Sequence, residues 1–238
     1  SHGDRAPDPG ANLHHTGTLT TAGDLRLTTA GTVTNDGTLQ AGDTLAIAAQ
    51  ALTNTATGTL AGDAVDLALA GALTNRGLID GGETRIHAGT LDNLGTGRIY
   101  GDHLALAAGT LNNLAESGIA PVIAARTRLD LGVGTLANRD GALIFSAGDL
   151  ALGGGLDADG HAIGQAGSID NASATIEALE NLAIDTASLL NRKTAFATAT
   201  VPDTAPLAGA ALLDYAPGLQ FHWPIKESSA TTWRNHIR

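Results

Sequence analysis

Acidic residues recur at one position of this sequence, directly after a glycine. The five residues are Asp24, Asp43, Asp63, Glu83 and Asp102, at steps of 19, 20, 20 and 19 residues. A row of carboxylates at such a constant spacing could bind Ca²⁺, which prefers oxygen ligands. The surrounding sequence lacks the nonapeptide pattern of calcium-binding repeats. We therefore interpret these acids as turn formers beside their glycines and predict neither a metal site nor a cofactor.

The eight histidines offer a second kind of chemistry, because imidazole is a common zinc ligand. His14 and His15 are adjacent, and adjacent side chains of a strand point to opposite faces. His87 and His103 are 16 residues apart, so we expect them on neighbouring repeats, where they could approach one another. Because the chain has no cysteine and no closely spaced set of ligands, we interpret all of them as surface histidines.

Catalytic motifs are the third kind of chemistry to consider. Cleavage of an acidic polysaccharide needs a base and a charge stabiliser that converge on one exposed face. The sequence contains no nucleophile elbow, no phosphate loop and no dinucleotide fingerprint, and no helical pattern follows the glycines at 153–155. We therefore name no catalytic residue and predict that the chain is not an enzyme.

The elements that position all these residues come from one repeated unit. Between residues 31 and 109 the chain reads GTVTNDGTLQAGDTLAIAAQ, ALTNTATGTLAGDAVDLALAG, ALTNRGLIDGGETRIHAG and TLDNLGTGRIYGDHLALAAG, with small edits from unit to unit. An asparagine marks the same place in each unit, at Asn35, Asn54, Asn75, Asn93, Asn113, Asn138, Asn171 and Asn191. The first four steps are 19, 21, 18 and 20 residues, and a period near 20 is typical of a solenoid.

The pattern inside a unit predicts strands. Leu45 and Ile47 alternate with small residues, as do Leu104 and Leu106, which is the period of a strand. Clusters of Asn, Asp and Gly separate these runs and favour tight turns, while no unit offers ten residues without a helix breaker. We predict an all-β parallel β-helix with about 20 residues per coil, followed by a C-terminal tail without repeats.

Stacked coils place equivalent residues about 4.8 Å apart, so aliphatic residues should form internal columns. One predicted column consists of Leu25, Leu45, Val65, Arg85 and Leu104, in which Arg85 is an exception without an assignment. The second consists of Leu27, Ile47, Leu67, Ile86 and Leu106. The asparagine column has two interpretations. It is either a ladder whose amides bond the backbone of the next coil, or a set of residues that tolerate the turn backbone.

The repeats divide the chain into three parts. We expect residues 1–11 to be a disordered segment or tag remnant and residues 12–192 to form the β-helix of repeats. Residues 193–238 contain no repeat and are expected to form an aromatic-containing cap or the start of the next domain. The repeat spacing becomes irregular after Asn113, because the next asparagine of the column follows only after 25 residues. Two short arms around Asp159 and Gly160 predict a β-hairpin inserted at about 153–167.

The tail from residue 193 holds five of the seven aromatic residues of the chain. Three roles remain open for it: a cap over the end of the helix, the start of another domain, or a partner-binding surface. Aromatic residues are favoured at interface hot spots. The candidates for partner binding are Tyr215, Phe221, Trp223 and Trp233.

The formal net charge of −11 limits the partners. An acidic rod repels phosphate, so we expect no nucleic-acid binding and no insertion into a membrane. Residues from 193 onward carry four basic and three acidic side chains, so the excess of negative charge lies in the repeats. Nothing in the sequence indicates an oligomer, and we expect a monomer.

Units such as GTVTNDGTLQAGDTLAI, ALTNRGLIDGG and GTLDNLGTGRIYGDHLAL resemble the haemagglutinin repeats of filamentous haemagglutinin-type exoproteins, over roughly residues 12–192. That family includes adhesins and effectors of contact-dependent growth inhibition. The resemblance implies a right-handed parallel β-helix within a long fibre. It also implies two-partner secretion through an outer-membrane transporter and a place on the surface of a Gram-negative bacterium.

From the repeats and this resemblance we expect a structural and adhesive shaft that presents binding or toxin regions to other cells. The implied partner is a receptor on a target cell, either a protein or a glycan. One alternative is a receptor-binding module that uses the C-terminal tail. A polysaccharide-active β-helix enzyme is the other.

Overall fold

The computed structural model describes residues 10–194 of the 238-residue chain. These residues contain strands and no helix, which confirms the predicted all-β class. The strands are β1 Leu13–His15, β2 Thr18–Thr21, β3 Leu25–Thr28, β4 Thr32–Asn35, β5 Thr38–Ala41, β6 Thr44–Ala49, β7 Ala51–Asn54, β8 Thr59–Leu69, β9 Ala72–Asn75, β10 Leu78–Leu94, β11 Arg98–Leu114, β12 Val122–Arg139, β13 Leu143–Ser146, β14 Asp149–Gly153, β15 Gly155–Leu156, β16 Ala162–Ile163, β17 Ser168–Ala172, β18 Thr175–Ala178, β19 Leu182–Ile184 and β20 Leu189–Arg192.

The strands stack in three parallel columns, one for each side of a coil. The first column runs through β1, β4, β7 and β9 and ends at β17 and β20. The second begins with β2 and β5 and ends at β18, and the third begins with β3 and β6 and ends at β19. The long strands β10, β11 and β12 bend through all three columns. The result is the predicted parallel β-helix, with about nine coils of roughly 20 residues.

The lumen is filled by aliphatic side chains from alternate positions of each strand. Leu45, Ile47 and Leu52 are at most 1% exposed, and their register partners in the next coils are equally buried. Each buried leucine contributes about 1.5–3 kcal/mol relative to an exposed one. In the last described coil Leu182 and Leu189 are 47% and 52% exposed, because no described coil lies beyond them.

The predicted column through Arg85 is wrong at that one residue. Thr84 takes the place, in register with Val65 below and Leu104 above, and it is fully buried. Its hydroxyl donates a hydrogen bond to the carbonyl of Tyr100 at 3.1 Å, which satisfies the buried oxygen. Arg85 is the next residue of the strand and therefore points outward. The second predicted column, from Leu27 to Leu106, has the register that the structure shows.

A hairpin leaves the coil between β14 and β17. Strands β15 and β16 pair antiparallel, with Gly155 opposite Ile163 and Leu156 opposite Ala162. The hairpin folds back against the outer face of β12 at Gly132. A Cβ atom added there would lie 2.4 Å from the carbonyl carbon of Gly155, so this close approach requires glycine.

Candidate functional site

Amide side chains form an unbroken ladder along the first corner of the coils. Each Nδ2 donates to the Oδ1 of the asparagine one coil further on, over donor–acceptor distances of 2.8–2.9 Å. The ladder consists of Asn35, Asn54, Asn75, Asn93, Asn113, Asn138, Asn171 and Asn191. The first six are fully buried, so the amide chain runs in a medium where hydrogen bonds are strong.

Most ladder amides also donate to the backbone of the next coil. Asn35 donates to the carbonyl of Thr59, and Asn54 donates to that of Leu78. The ladder therefore combines side-chain and backbone contacts, and it has a direction, with donors pointing toward the C-terminal end. A polar group that runs through every coil sets one register, because a shifted coil would bury amides without partners.

His15 occupies the ladder position in the first described coil, in register with Asn35. Its Nε2 lies 3.1 Å from the carbonyl of Thr38, which corresponds to the backbone contact of a ladder amide. The imidazole does not bond the next side chain, and Asn35 Oδ1 is a buried acceptor without a partner among the described residues. The ladder therefore begins with an unsatisfied group, which costs stability.

Replacing His15 by asparagine should raise the free energy of unfolding by about 1 kcal/mol, because the new amide would donate to Asn35 Oδ1. Chemical denaturation of the two proteins measures this difference. The matched control is His14→Asn, since His14 lies on the opposite face and pairs with Asp36. Equal stability of His15→Asn and the unchanged chain would contradict this account of the ladder's first coil.

A second polar cluster holds the hairpin against the shaft. The carboxylate of Asp130 is fully buried and accepts two bonds from Arg128, at 2.6 and 3.0 Å. It also accepts the backbone N–H of Ala162 in the hairpin at 2.8 Å, and His103 Nε2 lies 3.0 Å from it. One carboxylate thus joins two coils and the hairpin.

Two opposing effects act on the pKa of Asp130. Burial raises it, while the hydrogen bonds from Arg128, Ala162 and His103 lower it, and the net result is a pKa below the ordinary value of an aspartate. The carboxylate is therefore charged at neutral pH and binds its donors as a charge-assisted acceptor.

His103 connects this cluster to the hairpin turn. Its Nδ1 lies 3.4 Å from the carboxylate of Glu83, and its ring stacks on His161 with 5.9 Å between the centroids. His87 and His103 lie on neighbouring coils but are not in register, since His87 is in register with Ala107 and His103 with Glu83. Two histidines from sequence-distant segments meet here instead.

The acids that follow glycines do not form one continuous column. Thr44 and Ala64, the residues after Asp43 and Asp63, are in register with each other, so these two acids occupy equivalent places in neighbouring coils. Glu83 breaks the column, because it is in register with Ala64 and not with Asp63. Asp102 pairs instead with Arg126, which also reaches Asp80, at 3.2 and 3.0 Å. Within the described range these carboxylates do not converge on a common point.

Asp157, Asp159 and His161 at the hairpin turn form a compact group, and their potential ligand atoms lie within 4.8 Å of one another. All three side chains are exposed. Asp157 Oδ1 already accepts the backbone N–H groups of Asp159 and His161, at 3.0 and 2.8 Å. These bonds explain why an aspartate begins this turn.

The predicted partner-binding residues Tyr215, Phe221, Trp223 and Trp233 lie outside the described residues, as does all of the tail from residue 195 onward. Most of the predicted N-terminal segment, residues 1–9, lies outside them as well. Over residues 10–194 the structure contains no helix of the length and apolar character that crossing a membrane requires.

Two segments of the chain, residues 9–77 and 122–201, match the family model described as haemagglutinin repeat. Together they cover more than half of the sequence. The chain belongs to the haemagglutinin repeat family. Between the matched segments Asn93 and Asn113 continue the same ladder, so the repeat structure extends through residues 78–121. Neither a curated protein nor a solved structure matches the chain.

Haemagglutinin repeats are typical of structural and adhesive proteins of the filamentous haemagglutinin type. Membership in the family suggests a filamentous, adhesin-like shaft and a secreted protein exposed at the cell surface. It also suggests adhesive binding and export by a two-partner route.

The sequence interpretation missed the cluster around Asp130. The residue stands between Leu129 and Leu131 and therefore reads as an ordinary outward-facing polar position of a strand. Only the return of the hairpin onto that face buries it. The signal in the sequence was weak: Arg128 and Asp130 are two residues apart and so share one face, which is compatible with an exposed pair as well.

Proposed function

We propose that this haemagglutinin repeat segment is a rigid shaft that holds binding or toxin regions of a surface fibre away from the cell. The observation that carries the proposal is the amide ladder, which runs without a gap from Asn35 to Asn191. From Asn35 onward the ladder couples each coil to the next, so bending one of these coils disturbs buried hydrogen bonds. Nine coils extend the fibre by about 40 Å.

As a shaft, the segment has no catalytic role, and its length matters more than any one side chain. The secreted protein reaches the outside through its transporter, and a receptor on a target cell binds to regions that the shaft presents. A polysaccharide-cleaving site needs carboxylates that converge on the substrate, and among the described residues 10–194 the acids that follow glycines do not converge on a common point.

Removing whole coils tests the shaft. Deletion of residues 16–54 joins His15 to Thr55 and removes two coils while the other ladder contacts keep their register. In the secreted protein that carries this chain, the deletion should preserve export and binding to target cells, measured by surface labelling and flow cytometry. Deletion of residues 16–44 is the control, because it breaks the register and should prevent folding. A displayed protein that lacks residues 16–54 and no longer binds cells would show that these coils hold a binding site.

The second candidate function is recognition by the aromatic tail, which concentrates five of the seven aromatic residues. Replacement of Trp223 and Trp233 by alanine would then abolish binding to target cells without changing display. Unchanged binding by this double variant would contradict a recognition role of the tail.

A further inference from the structure

A groove of about 540 Å³ lies where the hairpin meets the outer face of the coils, and we call it the hairpin groove. Its polar lining consists of Asp66, Arg85, His87 and Asp157, and its floor includes Ala105 and Ala107. The volume falls within the range of small-ligand sites in proteins. The buried Asp130 fixes the hairpin wall through Ala162, so the groove is formed before any ligand arrives.

Arg85 is the distinctive side chain of the groove. Its register neighbour is Asp66, yet the two form no ion pair, and Arg85 Nη2 instead reaches the carbonyl of Asp159 over 3.4 Å. Six other arginines of the described residues pair with carboxylates, namely Arg26, Arg76, Arg126, Arg128, Arg139 and Arg192. Arg98 has no such partner, but it donates to three backbone carbonyls.

The guanidinium of Arg85 is thus a cation whose donors are largely unused, on a chain with a net charge of −11. A guanidinium with free donors fits a carboxylate, because the two planar groups form paired hydrogen bonds. The side chains around it are mostly acceptors. Asp66 is exposed. Asp157 uses Oδ1 for backbone N–H groups, and its Oδ2 lies 3.8 Å from His161 Nδ1, which is longer than a hydrogen bond and leaves this oxygen able to accept one. These acceptors require a ligand that also carries hydroxyl donors.

We propose that the hairpin groove binds a saccharide that carries a carboxylate. The carboxylate contacts Arg85, and hydroxyl groups of the same or the next sugar donate to Asp66 and Asp157. The small floor residues Ala105 and Ala107 let a sugar ring approach the shaft closely. Heavily sulfated saccharides are disfavoured, because a single cation among aspartates cannot neutralise several negative charges.

A peptide fits the hairpin groove less well. Recognition of an extended peptide uses a free strand edge or pockets for apolar side chains. The strands of the floor, β10, β11 and β12, are already paired with one another, and Leu156 is the one large aliphatic side chain of the hairpin on the groove wall. The observations therefore favour a hydroxyl-rich ligand.

A saccharide site in the hairpin groove would give the adhesive role proposed above a ligand, and it rests on that role only for its biological use. Binding of a saccharide to the isolated chain does not depend on the shaft function. The coil deletion of residues 16–54 leaves Asp66, Arg85 and the hairpin in place, so the two proposals succeed or fail separately.

The test is titration of the intact chain, followed by saturation-transfer NMR and calorimetry. The two acidic probes are a hyaluronan tetrasaccharide, which carries uronates, and 3′-sialyllactose, which carries a sialate, so they distinguish the two sources of a sugar carboxylate. At least one of them should bind with a Kd of about 1 mM or tighter. Lactose and a neutral chitin tetrasaccharide should bind at least about tenfold more weakly, which corresponds to the loss of one charge-assisted contact. A heparin tetrasaccharide should also bind at least about tenfold more weakly, because the aspartates repel its sulfate groups.

Arg85→Gln should weaken binding of the acidic probe about tenfold or more, because glutamine keeps a donor but loses the charged fork. Arg26→Gln is the matched control, since Arg26 pairs with Asp24 outside the groove and its loss should leave binding unchanged. Asp66→Asn is a second variant on an exposed position, and it should weaken binding of the acidic probe, because an amide oxygen accepts a hydroxyl donor less strongly than a carboxylate does.

Three results would overturn the proposal. The first is that neither acidic probe binds at concentrations of about 10 mM. The second is that lactose or heparin binds as tightly as the acidic probe. The third is that Arg85→Gln binds the acidic probe with unchanged affinity. If Arg85→Gln does not fold, the Asp66→Asn variant decides in the same way, and an unchanged affinity there contradicts the assigned groove.

Discussion

Replacing Asn113 by alanine is expected to lower the free energy of unfolding by about 3 kcal/mol. Asn113 lies in the middle of the ladder, where it accepts from Asn93 and donates to Asn138, both at 2.8 Å. It also donates to the carbonyl of Leu143 at 3.1 Å. Alanine would leave the Oδ1 of Asn138 buried without its donor, and such a group costs about 1–3 kcal/mol in addition to the lost contacts.

Chemical denaturation measures this loss, and the neighbouring residue supplies a matched control. Asn112 lies on the outer face of the same strand and donates a single bond to Asp92 at 2.8 Å. Asn112→Ala should therefore change stability by less than about 1 kcal/mol. Equal effects of the two substitutions would mean that the ladder adds nothing beyond an ordinary polar contact.

Asn113→Asp makes the prediction more specific, because aspartate has nearly the same shape but cannot donate when charged. The carboxylate would face the acceptors of Asn138 and Leu143 inside the coil. The variant should therefore be less stable than the unchanged chain at neutral pH. It should regain stability as the pH falls and the carboxyl group is protonated, because the neutral form is the one that the folded state prefers.

Replacing Asp130 by alanine is expected to cost about 3 kcal/mol and to detach the hairpin from the shaft. The substitution removes the common acceptor of Arg128, His103 and the N–H of Ala162. Arg128 keeps a second carboxylate, Asp149, at 3.6 Å, which limits the cost of the charge left behind. The N–H of Ala162 loses its partner, so its hydrogen exchange should accelerate together with that of the other hairpin amides.

Asp102→Ala is the control for this substitution. Asp102 pairs with Arg126 on the exposed surface, and exposed ion pairs contribute about 0–1 kcal/mol. Its loss should leave exchange in the hairpin unchanged. Slow exchange at Ala162 in Asp130→Ala would show that the hairpin is held by other contacts.

The pH dependence of stability follows from the lowered pKa of Asp130. An aspartate with a lowered pKa stabilises the fold above its unfolded pKa of about 4, and this contribution disappears as the pH falls through the folded pKa. The unchanged chain should therefore lose more stability than Asp130→Ala between neutral and strongly acidic pH. Parallel losses in both proteins would contradict a charged Asp130 in the folded state.

The sequence by itself determined the coils. Each coil contacts only its neighbours, so a period near 20 and the alternation of aliphatic residues are sufficient to predict short strands in every coil and their columns. The same reasoning selected the eight asparagines, between which the structure shows amide hydrogen bonds. It failed at Arg85 because one segment of that coil is a residue shorter, and a shift of one residue turns a side chain from the lumen to the surface.

Only the tertiary structure decided what lies outside the lumen. Outward positions alternate with inward ones whatever their chemistry, so Asp130 and His103 read alike as surface residues. The hairpin then covers Asp130, places His161 on His103 and walls a groove around Arg85. These contacts join residues separated by 32 to 74 positions, outside the repeat, and the repeat pattern holds no information about them.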